Sequence, residues 1–104
     1  MKLPRDIRKR LHTLNYTTTK HFTQRRNDRD LRNLNLTKAI INGEVIERLY
    51  RFGYGELFIV CCEDSGKVFH VVVVANKGRV LLKTIYVPDS RFLADKKTRR
   101  DGDL

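Results

Sequence analysis

The sequence predicts an α+β fold, N-terminal helices packed on a four-stranded antiparallel sheet, with residues 4–42 helical and 44–87 in strands. Two observations carry that expectation. The apolar spacing is helical up to Asn42 and becomes strand-like after Gly43. Two glycine-containing turns, Asp64-Ser65-Gly66-Lys67 and Asn76-Lys77-Gly78-Arg79, then separate runs rich in Val, Ile and Leu. At 104 residues a single domain over 1–104 is expected.

The elements follow in order. Pro4 suits a first helical turn, and Leu3, Ile7, Leu11 and Leu14 form one apolar stripe behind it. Thr17-Thr18-Thr19 supplies an N-cap for a second helix through about Leu31. A short third helix covers Leu36–Asn42, with Asn42-Gly43 as its stop. Strands are expected over Glu44–Tyr50, Gly55–Glu63, Val68–Ala75 and Arg79–Val87, the last ended by Pro88. The tail 95–104 is polar and basic. Two-residue turns at Ser65-Gly66 and Lys77-Gly78 pair Cys61 with His70, and His70 with Ile85. One face then carries Leu57, Ile59, Cys61, His70, Val72, Lys83 and Ile85. The other carries Phe58, Val60, Phe69, Val71, Val73, Leu82, Thr84 and Tyr86. Helices can cover one of these faces, and the other is a groove for a ligand or partner. A single bulge would exchange the memberships.

Lys plus Arg is 22 and Asp plus Glu is 12, a net charge of +10. Residues 1–32 hold ten basic and three acidic side chains, so the charge is an N-terminal patch rather than a uniform coat. Such a patch suits a polyanion, nucleic acid first. No apolar run approaches the roughly 20 residues that span a bilayer, and no signal peptide is visible. The adjacent Cys61 and Cys62 point to opposite strand faces and have no metal-ligand spacing. A reduced, cytoplasmic chain without metal or cofactor is the resulting expectation.

His21, Arg25 and Arg29 stack at i, i+4, i+8 on the second helix, with Lys20 and Arg26 beside them. Stacked cations repel by a few tenths of a kcal/mol per pair, which a bound phosphate would offset. The plain alternative is a solvated face laced by Arg26–Asp30 and Asp28–Arg32 pairs. His70 interrupts the apolar run Val68-Phe69-His70-Val71, so it either finds a polar neighbour or bears a function. Tyr86 reads as a packing aromatic, and Lys83 as a phosphate ligand or a snorkelling strand residue.

The order of segments resembles an uncharacterised bacterial and archaeal family in the RelE/ParE toxin superfamily, whose members often sit beside a zinc-finger antitoxin of the MqsA/YgiT type. The resemblance runs through His21 with Arg25, through Arg29, and through Gly43-Glu44-Val45-Ile46-Glu47. It continues through His70-Val71-Val72-Val73, Thr84-Ile85-Tyr86-Val87-Pro88-Asp89 and the basic tail around Lys96–Arg100. Asp30 stands where the family pattern has Gly after its Arg. The resemblance implies a RelE-like fold and a toxin that cleaves RNA by 2′-OH attack without metal. His21 and His70 would then be the acid/base pair. Arg25, Arg29 and Lys83 would hold the phosphate, Lys20 and Arg26 would add RNA affinity, and Tyr86 would stack a base or donate a hydrogen bond. The implied partners are RNA, ribosome-bound mRNA among its forms, and a cognate MqsA/YgiT-like antitoxin. Such a pair needs two imidazoles roughly 5–8 Å apart on one side of the sheet. The competing functions are a non-catalytic nucleic-acid-binding module and a protein-interaction domain.

Overall fold

The computed structural model describes residues 1–51 and 53–88. Asp89 and the basic tail, 95–104, lie outside the described residues. The order is α1 Arg5–His12, β1 Thr17–Thr18, α2 Lys20–Asp28, α3 Leu36–Asn42, β2 Glu44–Arg51, β3 Gly55–Asp64, β4 Lys67–Asn76 and β5 Arg79–Tyr86. The architecture is α+β with a five-stranded mixed sheet in the order β1-β5-β4-β3-β2. This corrects the expected four antiparallel strands. Thr17 and Thr18, read from sequence as part of a helix cap, pair parallel with Leu81 and Leu82.

Both long helices end sooner than their apolar spacing suggests, and for the same reason. After α1, Leu14 takes φ +59°, with Leu14 N–H on the Leu11 carbonyl at 3.1 Å and Asn15 N–H on the Arg10 carbonyl at 2.7 Å. After α2, Asp30 takes φ +55°, with Asp30 N–H on the Asn27 carbonyl at 3.1 Å and Leu31 N–H on the Arg26 carbonyl at 2.9 Å. Each is the paired bonding of a Schellman stop, with a left-handed residue in the position that glycine usually fills. Leu14 therefore leaves the stripe and is 69 % exposed, while Leu3, Ile7 and Leu11 stay buried. Leu31 is buried too, but beyond the helix end.

The third helix starts on an Asn35 side chain that accepts the Lys38 N–H at 3.3 Å. Its expected stop, Asn42-Gly43, is present, but Gly43 has φ −70° rather than a left-handed conformation. What requires glycine there is space: a Cβ would lie 2.5 Å from Val60 Cγ1 and 2.9 Å from the Cys61 carbonyl oxygen. The turn residues Ser65, Gly66, Lys77 and Gly78 all have positive φ, the pattern of tight hairpin turns whose twist matches the strands.

Asp64 pairs with Lys67, Cys61 with His70 and Asn76 with Arg79, as the sequence predicts. The β4–β5 ladder then shifts between Val72 and Val73, leaving Lys83 as an extra residue. His70 therefore pairs with Tyr86, and Ile85 with Val71. That exchanges the expected faces: Ile85 joins the helix-covered core, and Thr84 and Tyr86 join the face of His70. The core packs Phe58, Val60, Cys62, Phe69, Val71, Val73, Leu82 and Ile85 against Ile7, Leu11, Phe22, Leu36 and Ile40. A second shift, between Val45 and Glu47, keeps Glu44 and Glu47 opposite Cys61 and Ile59.

Candidate nucleic-acid interface

The site is built where α2 meets β5, just past the pairing of β5 with β1. Thr19 joins the two: its hydroxyl accepts the Phe22 N–H at 2.9 Å and donates to the Lys83 carbonyl at 2.7 Å. Its own N–H bonds to the Leu82 carbonyl at 3.2 Å. Phe22 is buried in the core and fixes the roll of the helix. Lys20, His21, Arg25 and Arg29 are left on the exposed surface of α2, and Lys83 is exposed on the bulge beside its first turn. An open groove of about 590 Å3 borders that turn, lined by Thr18, Thr19, Lys20, Thr23, Gln24 and Asn27.

Charge on this face is unbalanced. The first turn of α2 contains no acidic residue, so Lys20 meets the positive end of the helix dipole with no carboxylate beside it. Neither expected i, i+4 pair forms. Asp30 lies instead 3.9 Å from Arg32, both side chains largely exposed. Among the described residues no carboxylate forms a salt bridge with Lys20, Arg25, Arg29 or Lys83.

Arg26 has a different role from the one expected. It is half-buried, and its Nε donates to the Leu31 carbonyl at 3.1 Å while a terminal nitrogen donates to the carbonyls of Arg32 at 3.1 Å and Leu34 at 3.4 Å. These bonds hold the loop between α2 and α3, and they commit the guanidinium to backbone rather than to a phosphate.

His70 and Tyr86 form a second constellation. His70 is fully buried, with its Nδ1 3.3 Å from the Tyr86 hydroxyl and the rings edge-to-face at 5.2 Å between centroids. Glu44, Cys61, His70 and Tyr86 are successive cross-strand partners over β2, β3, β4 and β5. Phe69 and Val71 face the helices, so alternation turns His70 to the opposite side. The structure thus brings His70 to Tyr86 and not to His21, which rides on a helix of the other layer. The expected His21–His70 pair around one phosphate is not assembled. The expected placement of Tyr86 on the face opposite His70 is likewise corrected, by the bulge at Lys83. A sequence signal for that bulge exists: Leu82 and Ile85, both core residues, are three apart, which strict alternation does not allow.

Burial, with the adjacent Cys61 as a smaller cause, pushes the Cys62 thiol far up, which leaves it an inert apolar residue rather than a nucleophile. No group of three or more His, Cys, Asp or Glu side chains gathers as a metal site among the described residues. No described helix is long and apolar enough to cross a membrane.

A family model described as a domain of unknown function, DUF4258, matches residues 18–87, from β1 through the end of β5. No curated protein and no solved structure gives a match.

Proposed function

The chain belongs to the DUF4258 family, and we propose that this member binds RNA along the outer face of α2 and the adjoining end of β5. One observation carries the reading: Lys20, Arg25, Arg29 and Lys83 are exposed cations without a carboxylate salt bridge among the described residues. Like charges on one helix face repel, and among the described residues no ion pair offsets that repulsion. A phosphate backbone would, with the planar Arg25 and Arg29 heads as bidentate ligands and the Lys20 and Lys83 ammonium groups as point charges. The motif order shared with the RelE/ParE toxin superfamily favours RNA among polyanions, and a RelE-like arrangement of the fold belongs to the same reading.

The finer reading is a toxin of a toxin–antitoxin pair that cleaves RNA by 2′-OH attack. Its proton-transfer group is His21, which is exposed and one helical turn from Arg25. The imidazole would take the 2′-OH proton as the O2′–P bond forms, and Arg25 would stabilise the charge gathering on the phosphorane. The P–O5′ bond would then break to leave a 2′,3′-cyclic phosphate and a 5′-oxygen protonated by solvent water. His70 plays no part in this step because it faces the other side of the sheet. A cognate antitoxin, zinc-finger or otherwise acidic, would silence the toxin by covering the same cations.

The test is a salt titration with a single-stranded RNA of about 20 nucleotides. Arg25→Glu with Arg29→Glu is expected to weaken binding at least tenfold. It should also lower the slope of log affinity against log salt by about 1.4, from roughly 0.7 per phosphate contact on a single strand. An unchanged affinity and slope would reduce the face to a solubilising one. For catalysis, His21→Ala should stop RNA fragmentation in the presence of a chelator while leaving binding intact. Intact RNA after incubation with the unaltered protein would leave a binding module and remove the nuclease.

A further inference from the structure

We propose that the groove between α1 and α3 docks an acidic amphipathic helix of a protein partner, at a site separate from the RNA face on α2. Leu3, Ile7 and Leu11 turn one side of the α1 segment into the core. Arg5, Arg8, Lys9 and His12 fall on the opposite side, and with Asp6 and Ile41 they line one open groove of about 800 Å3. Ile41, in the last turn of α3, is half-buried and packs on the core, so it gives the groove an apolar floor. Arg5, Lys9 and His12 are exposed at i, i+4 and i+7, which sets them along a rim about 10 Å long. Arg8 is half-buried, and its Nε donates to the Leu3 carbonyl at 2.9 Å. Among the described residues none of these four side chains forms a salt bridge.

The composition of the groove selects its occupant. Four basic side chains stand against one carboxylate, so the complementary surface is anionic. Nucleic acid and an acidic peptide both answer to that sign, and two features separate them. The groove beside α2 is lined by polar side chains throughout, whereas this one has the aliphatic Ile41 in it. The first turn of α2 has no acidic residue, whereas Asp6 stands in the first turn of α1. A strand of nucleic acid repeats its charge at every nucleotide and would set a phosphate near Asp6. A peptide places its charges singly. A helix with carboxylates on one flank can pair them with Arg5, Lys9 and His12, lay an adjoining apolar side chain on Ile41 and leave an uncharged position by Asp6. A second copy of the chain offers no such helix. Among the described elements α1 and α2 carry one acidic residue each and α3 none, and the net charge of +10 opposes self-association.

The probe is a fluorescently labelled synthetic peptide of about 15 residues, long enough to be helical alone, with Glu residues flanking a stripe of Leu. Its anisotropy is expected to rise on titration with the full chain. An isomer of the same composition with the stripe scrambled should bind about tenfold more weakly or worse. Arg5→Glu with Lys9→Glu should weaken the striped peptide about tenfold or more, and a peptide with Lys in place of Glu should regain affinity for that variant. Arg25→Glu with Arg29→Glu makes the same change in net charge and should leave peptide binding nearly unchanged, which controls for long-range attraction. The α1 double variant should in turn keep the salt slope of RNA binding. Equal binding of the striped and scrambled isomers would reduce the groove to diffuse positive charge and overturn the proposal. Undiminished peptide binding by the α1 double variant would overturn it too. A lower RNA salt slope in that variant would assign the groove to nucleic acid, with the same result. The peptide titration uses no RNA, so this site and the α2 reading fail separately.

Discussion

The outer face of α2 and the sheet face around His70 carry the same chemical types in opposite conditions. On α2 the imidazole of His21 and the cations beside it are exposed, and no described carboxylate forms a salt bridge with those cations. On the sheet, His70 is buried, in register between Cys61 and Tyr86, and held at 3.3 Å by a phenol. Residue type alone therefore does not assign a role. The first region can exchange its solvent for a ligand without disturbing the fold, whereas the second cannot lose a group without disturbing the sheet. On the proposed reading, function belongs with the first and stability with the second.

The strongest way to break that division is His70→Ala. The substitution removes a buried ring, its edge-to-face contact with Tyr86 and a hydrogen bond, and it leaves a void on that face of the sheet. A loss of about 3 kcal/mol in unfolding free energy is expected. RNA affinity of the folded variant should be unchanged. Chemical denaturation beside an RNA titration checks both, and a variant of undiminished stability with impaired RNA handling would move His70 into the functional region.

The sequence revealed the exposed region far better than the buried one. A helical face needs only a period, and His21, Arg25 and Arg29 fall on it with no knowledge of the rest of the chain. The hairpin turns were equally legible, because Ser65-Gly66 and Lys77-Gly78 fix their own pairing locally. The face of Tyr86 was not, since one extra residue at Lys83 reverses everything beyond it. Nor was β1 legible, because two threonines gain a strand only when β5 is already there to pair with. The role of Arg26 was hidden for a related reason. Its carbonyl partners lie in a loop whose path depends on the left-handed Asp30.

Adjacent arginines sharpen the comparison within one helix. Arg26→Ala removes hydrogen bonds to the carbonyls of Leu31, Arg32 and Leu34 and should cost about 1–2 kcal/mol of stability. Its RNA affinity, measured on folded protein, should stay within about twofold. Arg25→Ala should do the reverse: stability within about 0.5 kcal/mol, as for an ordinary surface change, and a salt slope lower by roughly 0.7. If both variants lower the slope equally, Arg26 releases its carbonyls on binding and the boundary between the two regions falls inside α2.

The smallest effects are expected at the two helix stops, where substitution should stabilise. Leu14 and Asp30 occupy left-handed positions that cost an L-residue roughly 1–2 kcal/mol and glycine almost nothing. Glycine returns part of that gain by loosening the unfolded chain, about 0.5–1 kcal/mol. Asp tolerates the left-handed region better than a bulky aliphatic residue does. Asp30→Gly should therefore gain about 0.5 kcal/mol and Leu14→Gly nearer 1 kcal/mol. At Asp30 little else is lost. Its ion pair with Arg32 is long and exposed, and the Lys67 ammonium bonds to the Asp30 carbonyl oxygen, which glycine keeps. The change also removes a negative charge next to Arg29, so RNA affinity should rise slightly while the melting temperature rises by about 2–4 °C. Thermal melts of the two variants decide it. A lower melting temperature for Asp30→Gly would mean that the carboxylate itself stabilises the helix end, and the Schellman account of this stop would have to be replaced.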